Sequence, residues 1–259
     1  MRVIVTRPEA DAAVWVSALH DAGHNAVSLP LIDINPPADA TAVHRAWQRW
    51  TEWQAVMFVS AQAVRQFFQQ RPESWPLVPA PRCWATGPGT CRALLQAGVP
   101  AHLIDSPSDD AVQFDSEMLW QRVHHRVRPS DPVLIVRGAD TAHAASVDGN
   151  GRNWLARQLQ AAGVPVVWLV AYERRAPHWT DAQSAQAQAA AHDGSVWLFS
   201  SSQALSHLKQ CLPQQSWQQA RCIATHPRIA ESARMLGFSE IHIVRPVLAD
   251  VLRSLESST

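Results

Sequence analysis

Long apolar runs, a surplus of charge of either sign and clustered cysteines are all missing from this chain. No run approaches the length of a membrane-spanning helix, and the segment from Met1 to Arg7 reads as a strand followed by a charge, without the apolar core of a secretory signal. A cytoplasmic location is the expectation. Lys+Arg and Asp+Glu balance at 22 each, which leaves no overall field to attract nucleic acid or an acidic membrane, so any electropositive site must be local. Cys83, Cys91, Cys211 and Cys222 form no C-x-x-C pair; buried free thiols are expected and a zinc site is not. The residues that follow the expected strands include no paired carboxylates, no Ser-His-Asp order and no metal-ligand cluster. There is one tyrosine, Tyr172.

What is present is a regular alternation of strand and helix signals. At 259 residues, 47% hydrophobic and 17% charged, the chain has the composition of a soluble globular protein and the length of two ordinary domains. The clearest stretch is Gly151 to Arg175: a helix pattern (Trp154, Leu155, Leu159, Ala162) stops at Gly163, Val164 to Val170 continue as an apolar strand, and Ala171-Tyr172-Glu173-Arg174-Arg175 leaves that core. The same grammar occurs where a helix closes at Gly23, a strand runs from Val27 to Ile32, and Pro36-Pro37 marks an exit. Further strands are expected at Val3–Thr6, Ala55–Val59, Cys83–Thr86, Ala101–Ile104, Val133–Val136, Ser195–Phe199, Arg221–Thr225 and Glu240–Val244. The helices between them include Ala38–Trp53, Thr90–Ala97 and Val112–Val123, with a last one opened by Pro246. Pro76, Pro79 and Pro81 predict a stiff connection, and the Ala- and Gly-rich stretch ending at Asn150 a soft one.

The halves repeat. Gln203 comes 141 positions after Gln62 within Phe199-Ser200-Ser201-Ser202-Gln203 and Phe58-Val59-Ser60-Ala61-Gln62, and Cys222 comes 139 after Cys83. The glycine stops agree, with Gly163 at 140 from Gly23 and Gly237 at 139 from Gly98. Such a duplication predicts an α/β fold of two similar domains, each a parallel sheet of about five strands flanked by helices.

Ligands of such sheets sit beyond the carboxyl ends of the strands. The residues there are Arg7, Ser60, Thr86 with Gly87, Arg137, Ser200 with Ser201, and Thr225. Hydroxyls, arginines and helix N-termini suit a ligand rich in carboxylates or phosphates. Arg7 and Arg137 stand at corresponding strand ends, and Ser60 and Ser200 are placed to cap helices. Gly87-Pro88-Gly89 comes after a strand as a dinucleotide turn does, but the last glycine of that fingerprint is replaced by Arg92. His124-His125 reads as a solvated helix end, His226 as a strand-end residue near a ligand, and Trp47, Trp50 and Trp53 as helix packing.

The motifs V-I-V-T-R-P (Val3 to Pro8), F-V-S-x-x-A-V (Phe58 to Val64), T-G-P-G-T-x-x-x-L (Thr86 to Leu94), L-I-V-R-G (Leu134 to Gly138), Y-E-R-R (Tyr172 to Arg175) and F-S-S-S (Phe199 to Ser202) together resemble the uroporphyrinogen-III synthase family over the whole chain. The resemblance implies two domains, 1–35 with 173–259 and 36–172, joined by a two-stranded linker near 33–37 and 170–175, with the substrate in the cleft. It implies cyclisation of the linear hydroxymethylbilane, with loss of the ring A hydroxyl as water and inversion of ring D, by a monomer that uses no cofactor and no metal. It also leaves room for transient contact with the preceding pathway enzyme. The family's tyrosine falls on Tyr172, expected to assist departure of the hydroxyl. Ser60 and Thr90 would hold carboxylates or the ring, with Thr86 and Gly87 beside them, and Arg7, Arg137, Ser200 and Ser201 would steady the acetate and propionate groups. In the second repeat the family's glycine turn and threonine are replaced by Thr225-His226-Pro227-Arg228, so Arg228, His226 or backbone amides stand in. Two other readings compete: a binding protein that closes on a small polyanion without chemistry, and a nucleotide-dependent transferase built on the Gly87 turn.

Overall fold

The computed structural model describes residues 1–73, 80–107, 116–140 and 150–257, with the backbone alone for 150–153. Pro76, Pro79, residues 112–115 of the expected helix and the soft stretch from 141 to 149 lie outside the described residues. Two compact units emerge, one of Met1–Ile34 with Arg175–Thr259 and one of Asn35–Arg174.

The first unit is built on a five-stranded sheet. Its strands are β1 (Arg2–Val5), β2 (Asn25–Ser28), β9 (Val196–Phe199), β10 (Arg221–Ala224) and β11 (Glu240–Ile243), in the order β11-β10-β9-β1-β2. All its pairs are parallel. In the second unit the strands are β3 (Asp33–Asn35), β4 (Ala55–Phe58), β5 (Arg82–Ala85), β6 (Ile104–Asp105), β7 (Val133–Asp140) and β8 (Val166–Arg175), in the order β3-β8-β7-β4-β5-β6. The pairs from β8 through β7, β4 and β5 to β6 are parallel too. Each sheet therefore combines a βαβ piece of one repeat (β1-β2 or β7-β8) with three strands of the other (β9–β11 or β4–β6), and the second sheet adds the short β3 at its edge. Parallel neighbours require crossover helices, among them α1 (Glu9–Asp21) between β1 and β2, α3 (Ala61–Gln69) between β4 and β5, α6 (Asn150–Ala161) between β7 and β8, and α8 (Ser202–Cys211) between β9 and β10. Two more helices lead into strands: α5 (Ser116–Val123) comes before β7, and α7 (Asp181–Ala190), opened by a capping box of Thr180 and Gln183, comes before β9. The order in which successive strands are added reverses between β7 and β4 in one unit and between β1 and β9 in the other, although these neighbours are parallel. Those are the switch points at which doubly wound sheets open a crevice.

Several boundaries differ from the sequence reading. The expected strand Val27–Ile32 ends at Ser28, because Pro30 has no N–H to give a ladder; Leu29 N and Leu31 N still donate to the Val5 and Thr6 carbonyls at 3.0 and 3.2 Å. The expected exit at Ala171 is absent. There β8 continues to Arg175, because Gly138–Asp140 pair with Tyr172–Arg174. Ala101–Leu103 form a single 3₁₀ turn ahead of the two-residue β6, and the Ala38–Trp53 helix is α2 (Ala40–Gln48) plus a 3₁₀ turn at Trp50–Glu52. Helix α4 (Pro88–Gln96) takes Pro88 as its first residue, so Gly87-Pro88-Gly89 is cap and first turn rather than a separate loop. The last helix, α10 (Leu248–Glu256), starts two residues after Pro246.

The helix stops have their cause in backbone sterics. Gly23, Gly98, Gly163 and Gly237 have φ of 82°, 87°, 76° and 108°, the left-handed region that closes a helix without a Cβ clash. Cys83 and Cys222, equivalent in the two repeats, are buried in their sheets, and burial pushes each thiol up to about 12, with Arg82 and Arg234 pulling the other way. At pH 8 only about one in 10⁴ of such thiols is ionised. Iodoacetamide should therefore leave both unmodified in the native protein and label both after urea unfolding; peptide mapping that finds either labelled natively would contradict this packing.

Candidate active site

The switch point of the second unit gathers most of the expected residues. Strand β4 ends at Phe58, Val59 N donates to the Val136 carbonyl of β7 at 3.2 Å, and Ser60 comes next as the N-cap of α3, its Oγ accepting from Ala63 N at 3.1 Å. That cap leaves the Ser60 hydroxyl free to meet a second partner. The partner is Tyr172, whose Oη lies 3.4 Å from Ser60 Oγ although β8 is on the far side of β7. Two strand spacings, roughly 9.5 Å, separate β8 from β4, so the phenol has to lie flat across β7 to get there. It crosses at Gly138, opposite Tyr172 in the pairing.

A bulge aims it. The pairing jumps from Arg137↔Val170 to Gly138↔Tyr172, leaving Ala171 as the extra residue. Ala171 and Tyr172 are consequently both buried, at 0% and 4% exposure, which strict alternation would not allow. The Ala171 carbonyl accepts from Gln70 Nε2 at 3.4 Å.

Arg137 precedes this crossing. It lies inside β7 and not at a strand end, its guanidinium sits 5.2 Å from the Trp168 ring centre, and its Nε is buried with no hydrogen-bond partner among the described residues. Thr86, after β5, donates to the Val59 carbonyl at 3.4 Å, and Gly87 caps α4 with its carbonyl accepting from Thr90 N at 3.0 Å. Thr90 is buried in that first turn. These three stand one strand away from the switch point, on the side of β5.

The first unit repeats the arrangement with other side chains. Arg7 comes after β1, stacks 4.6 Å from the centre of Trp15, and has a buried Nε without a hydrogen-bond partner among the described residues. Burial pulls its guanidinium below the ordinary arginine value while Asp11 pulls it back, and the group remains a cation. Beside it Ser201, not Ser200, is the cap of α8, accepting from Gln203 N at 3.2 Å; Ser200 lies between strand and cap, and Ser202 Oγ is buried without a partner among the described residues. His226 caps α9 (Pro227–Leu236) by accepting from Arg228 N on its Nδ1 at 3.1 Å, which puts the proton of the neutral ring on Nε2. The Arg228 side chain is exposed and lines a hollow of about 390 Å³ with Leu205, Lys209 and Leu236, between α8 and α9. His124 and His125 are exposed, and Trp47, Trp50 and Trp53 are buried packing. Among the described residues no group of three or more His, Cys, Asp or Glu is placed to hold a metal, and no helix is long and apolar enough to cross a membrane.

Sequence reasoning did not single out Gly138, Trp168, Trp15 or Gln70. The signal for the first was the glycine that ends Leu134-Ile135-Val136-Arg137-Gly138, facing the only tyrosine of the chain.

A family model described as HEM4, uroporphyrinogen-III synthase HemD, matches residues 13–246. The chain is similar to the uroporphyrinogen-III synthase of Salmonella typhimurium, at 28% identity over 99% of this chain and 100% of that protein. Against that of Escherichia coli the identity is 26%, with the same coverage. Among solved structures it resembles uroporphyrinogen-III synthetase from Helicobacter pylori, with a TM-score of 0.59, 16% identity and both chains covered in full. A mutant uroporphyrinogen III synthase from Thermus thermophilus gives a TM-score of 0.53 and 13% identity, covering 100% of this chain and 98% of that one. At such identities the structural likeness speaks for the α/β fold alone.

Proposed function

Since this chain belongs to the uroporphyrinogen-III synthase family, a family of cyclising lyases, we propose that its own residues close hydroxymethylbilane through one hydroxyl pair. The Tyr172 phenol, held against Ser60, gives its proton to the ring A hydroxyl as the C–O bond breaks, so that the hydroxyl leaves as water, and the phenolate takes a proton back when ring D loses one at the end of the reaction. The ring D carbon that carries the bridge to ring C then bonds to the freed carbon, giving a spiro intermediate. Its bond to that bridge breaks, the bridge carbon bonds instead to the free α-carbon of ring D, and loss of the proton there leaves ring D inverted in the product. Free bilane cyclises spontaneously to the other isomer, so the protein's main task is to hold one geometry and only secondarily to supply acid. The observation that carries this reading is the Tyr172–Ser60 hydroxyl pair at the switch point, 3.4 Å apart.

The substrate's eight carboxylates account for the rest of the inventory. Arg137 and Arg7 each bring a guanidinium whose buried Nε has no partner among the described residues, and α3 and α8 bring capped N-termini with Ser60 and Ser201. Thr86, Gly87, Thr90 and Ser200 stand next to these groups, and Arg228 or His226 takes the place of a threonine in the second repeat. We read the chain as a cytoplasmic monomer that meets the preceding pathway enzyme only in passing. Family membership leaves the non-catalytic binding reading and the nucleotide reading without support.

Incubating the purified chain with hydroxymethylbilane and separating the products by chromatography tests the activity. Type III product is expected, and type I alone would overturn it. Arg137→Met and Arg7→Met should each raise KM about tenfold or more while kcat stays within about threefold, the pattern of a lost charge-assisted contact to a non-reacting carboxylate. Neither change should lower the thermal midpoint appreciably, since each also removes an unsatisfied buried donor. A loss of stability matching the loss of activity would make these arginines structural.

A further inference from the structure

We infer that Gly138 is a positioning residue whose missing side chain forms the notch through which the Tyr172 phenol reaches Ser60. The inference rests on the reading of Tyr172 given above. A Cβ at position 138 would lie 2.4 Å from Tyr172 Cζ, 2.6 Å from Cε2 and 2.8 Å from Oη, so ring and side chain cannot share the place. The backbone does not itself demand glycine here. Gly23, Gly98, Gly163, Gly194 and Gly237 have positive φ and Gly138 is not among them, so an alanine would be tolerated by the strand and excluded only by the ring. Nor can the ring simply step aside. It is 4% exposed, and its attachment is fixed by the bulge at Ala171.

The internal repeat shows that this notch is a feature of one half only. In the first unit Val3 pairs with Val196 and with Ala26; in the second, Val133 pairs with Ala55 and with Val166. Carrying that register forward sets Arg7 against Arg137, Pro8 against Gly138 and Ile32 against Tyr172. The two halves thus keep the arginine and differ immediately after it. A proline ring and an aliphatic side chain stand where the other half has open space and a hydroxyl. The anion-holding role is duplicated, while the group that can move a proton occurs once, beside the residue that makes room for it.

Gly138→Ala tests this with two readouts. Because the chain has a single tyrosine, nitration by tetranitromethane and subsequent peptide mapping report Tyr172 alone. In the native protein Tyr172 should resist nitration. In Gly138→Ala it should become reactive, kcat should fall by about 10- to 100-fold as for loss of the phenol, and KM should stay within about threefold. In a Tyr172→Phe background the same substitution should cost no more than about twofold further, since two changes acting through one group do not add. A phenol that stays protected, or a cost of Gly138→Ala that persists in full without the hydroxyl, would overturn the inference. Faster nitration with unchanged turnover would uphold the notch and instead overturn the role of Tyr172. Should Gly138→Ala fail to fold, Gly138→Ala with Tyr172→Ala should fold, because the clashing ring is gone; failure of the double variant as well would place the fault in the backbone and sink the proposal.

Discussion

Tyr172→Phe is expected to lower kcat by about 10- to 100-fold, with KM changed by no more than about threefold and the product still of type III. A lone, essential donor at a reacting oxygen typically accounts for about 10²- to 10³-fold. The smaller effect expected here has two causes. The hydroxyl departs from a carbon that also loses it without an enzyme, and Ser60 Oγ, 3.4 Å from the phenol, remains as a second hydroxyl when the first is removed. Phenylalanine keeps the ring in its notch and gives up one long hydrogen bond, so stability should change by less than about 1 kcal/mol. Complete loss of activity in a folded variant would make Tyr172 an indispensable acid, and full activity would remove it from the mechanism. Stopped-flow mixing with freshly made hydroxymethylbilane, with isomer analysis of the quenched product, measures both numbers.

Trp47→Ala should lower the unfolding free energy of the second unit by about 3–5 kcal/mol, the usual cost of truncating a fully buried aromatic. Trp47 is 0% exposed, stacks on Phe67 with ring centres 4.6 Å apart, touches Trp50 at 4.7 Å, and donates from its indole N–H to the Phe67 carbonyl at 3.1 Å. Alanine would leave a cavity and remove one of the two hydrogen bonds to the Phe67 carbonyl, which also accepts from Gln70 N at 3.3 Å. This cluster continues through Phe68 to Phe58, the last residue of β4, two positions before Ser60. Loosening it frees the helix whose cap meets the phenol, so activity should fall with stability as urea rises. Urea melts monitored by circular dichroism would show the shift. An unchanged midpoint would mean that the aromatic cluster does not hold the unit.

How far such a site can be read without coordinates depends on whether its cause is local. The helix stops at Gly23, Gly98, Gly163 and Gly237 are local, because a left-handed residue is needed where each helix turns back into a strand, and all four have positive φ. The duplication is legible for the same reason, since equivalent local problems recur about 140 residues apart. Sheet order is not local. Nothing in the spacing of Val133–Val136 says that this strand lies beside β4 and not beside β1, yet that neighbour decides which serine Tyr172 can reach. The bulge is hidden as well. Ala171-Tyr172 looks like a strand running into solvent, and only the pairing with Gly138–Asp140 turns it into a continuing strand with two adjacent buried residues. The second serine cap is displaced by one residue, from Ser200 to Ser201, in a run of three serines where composition cannot discriminate and only the helix start can.

The claim on which the rest depends is that the one phenol of this chain meets the tetrapyrrole, and carbon-13 NMR of protein labelled only at tyrosine Cζ tests it most directly. A single tyrosine gives a single resonance without assignment. Saturating anaerobic uroporphyrinogen III should displace that resonance, and should displace it as well in Arg137→Met once the weaker binding is saturated. A resonance unmoved while the tetrapyrrole is demonstrably bound would contradict the account.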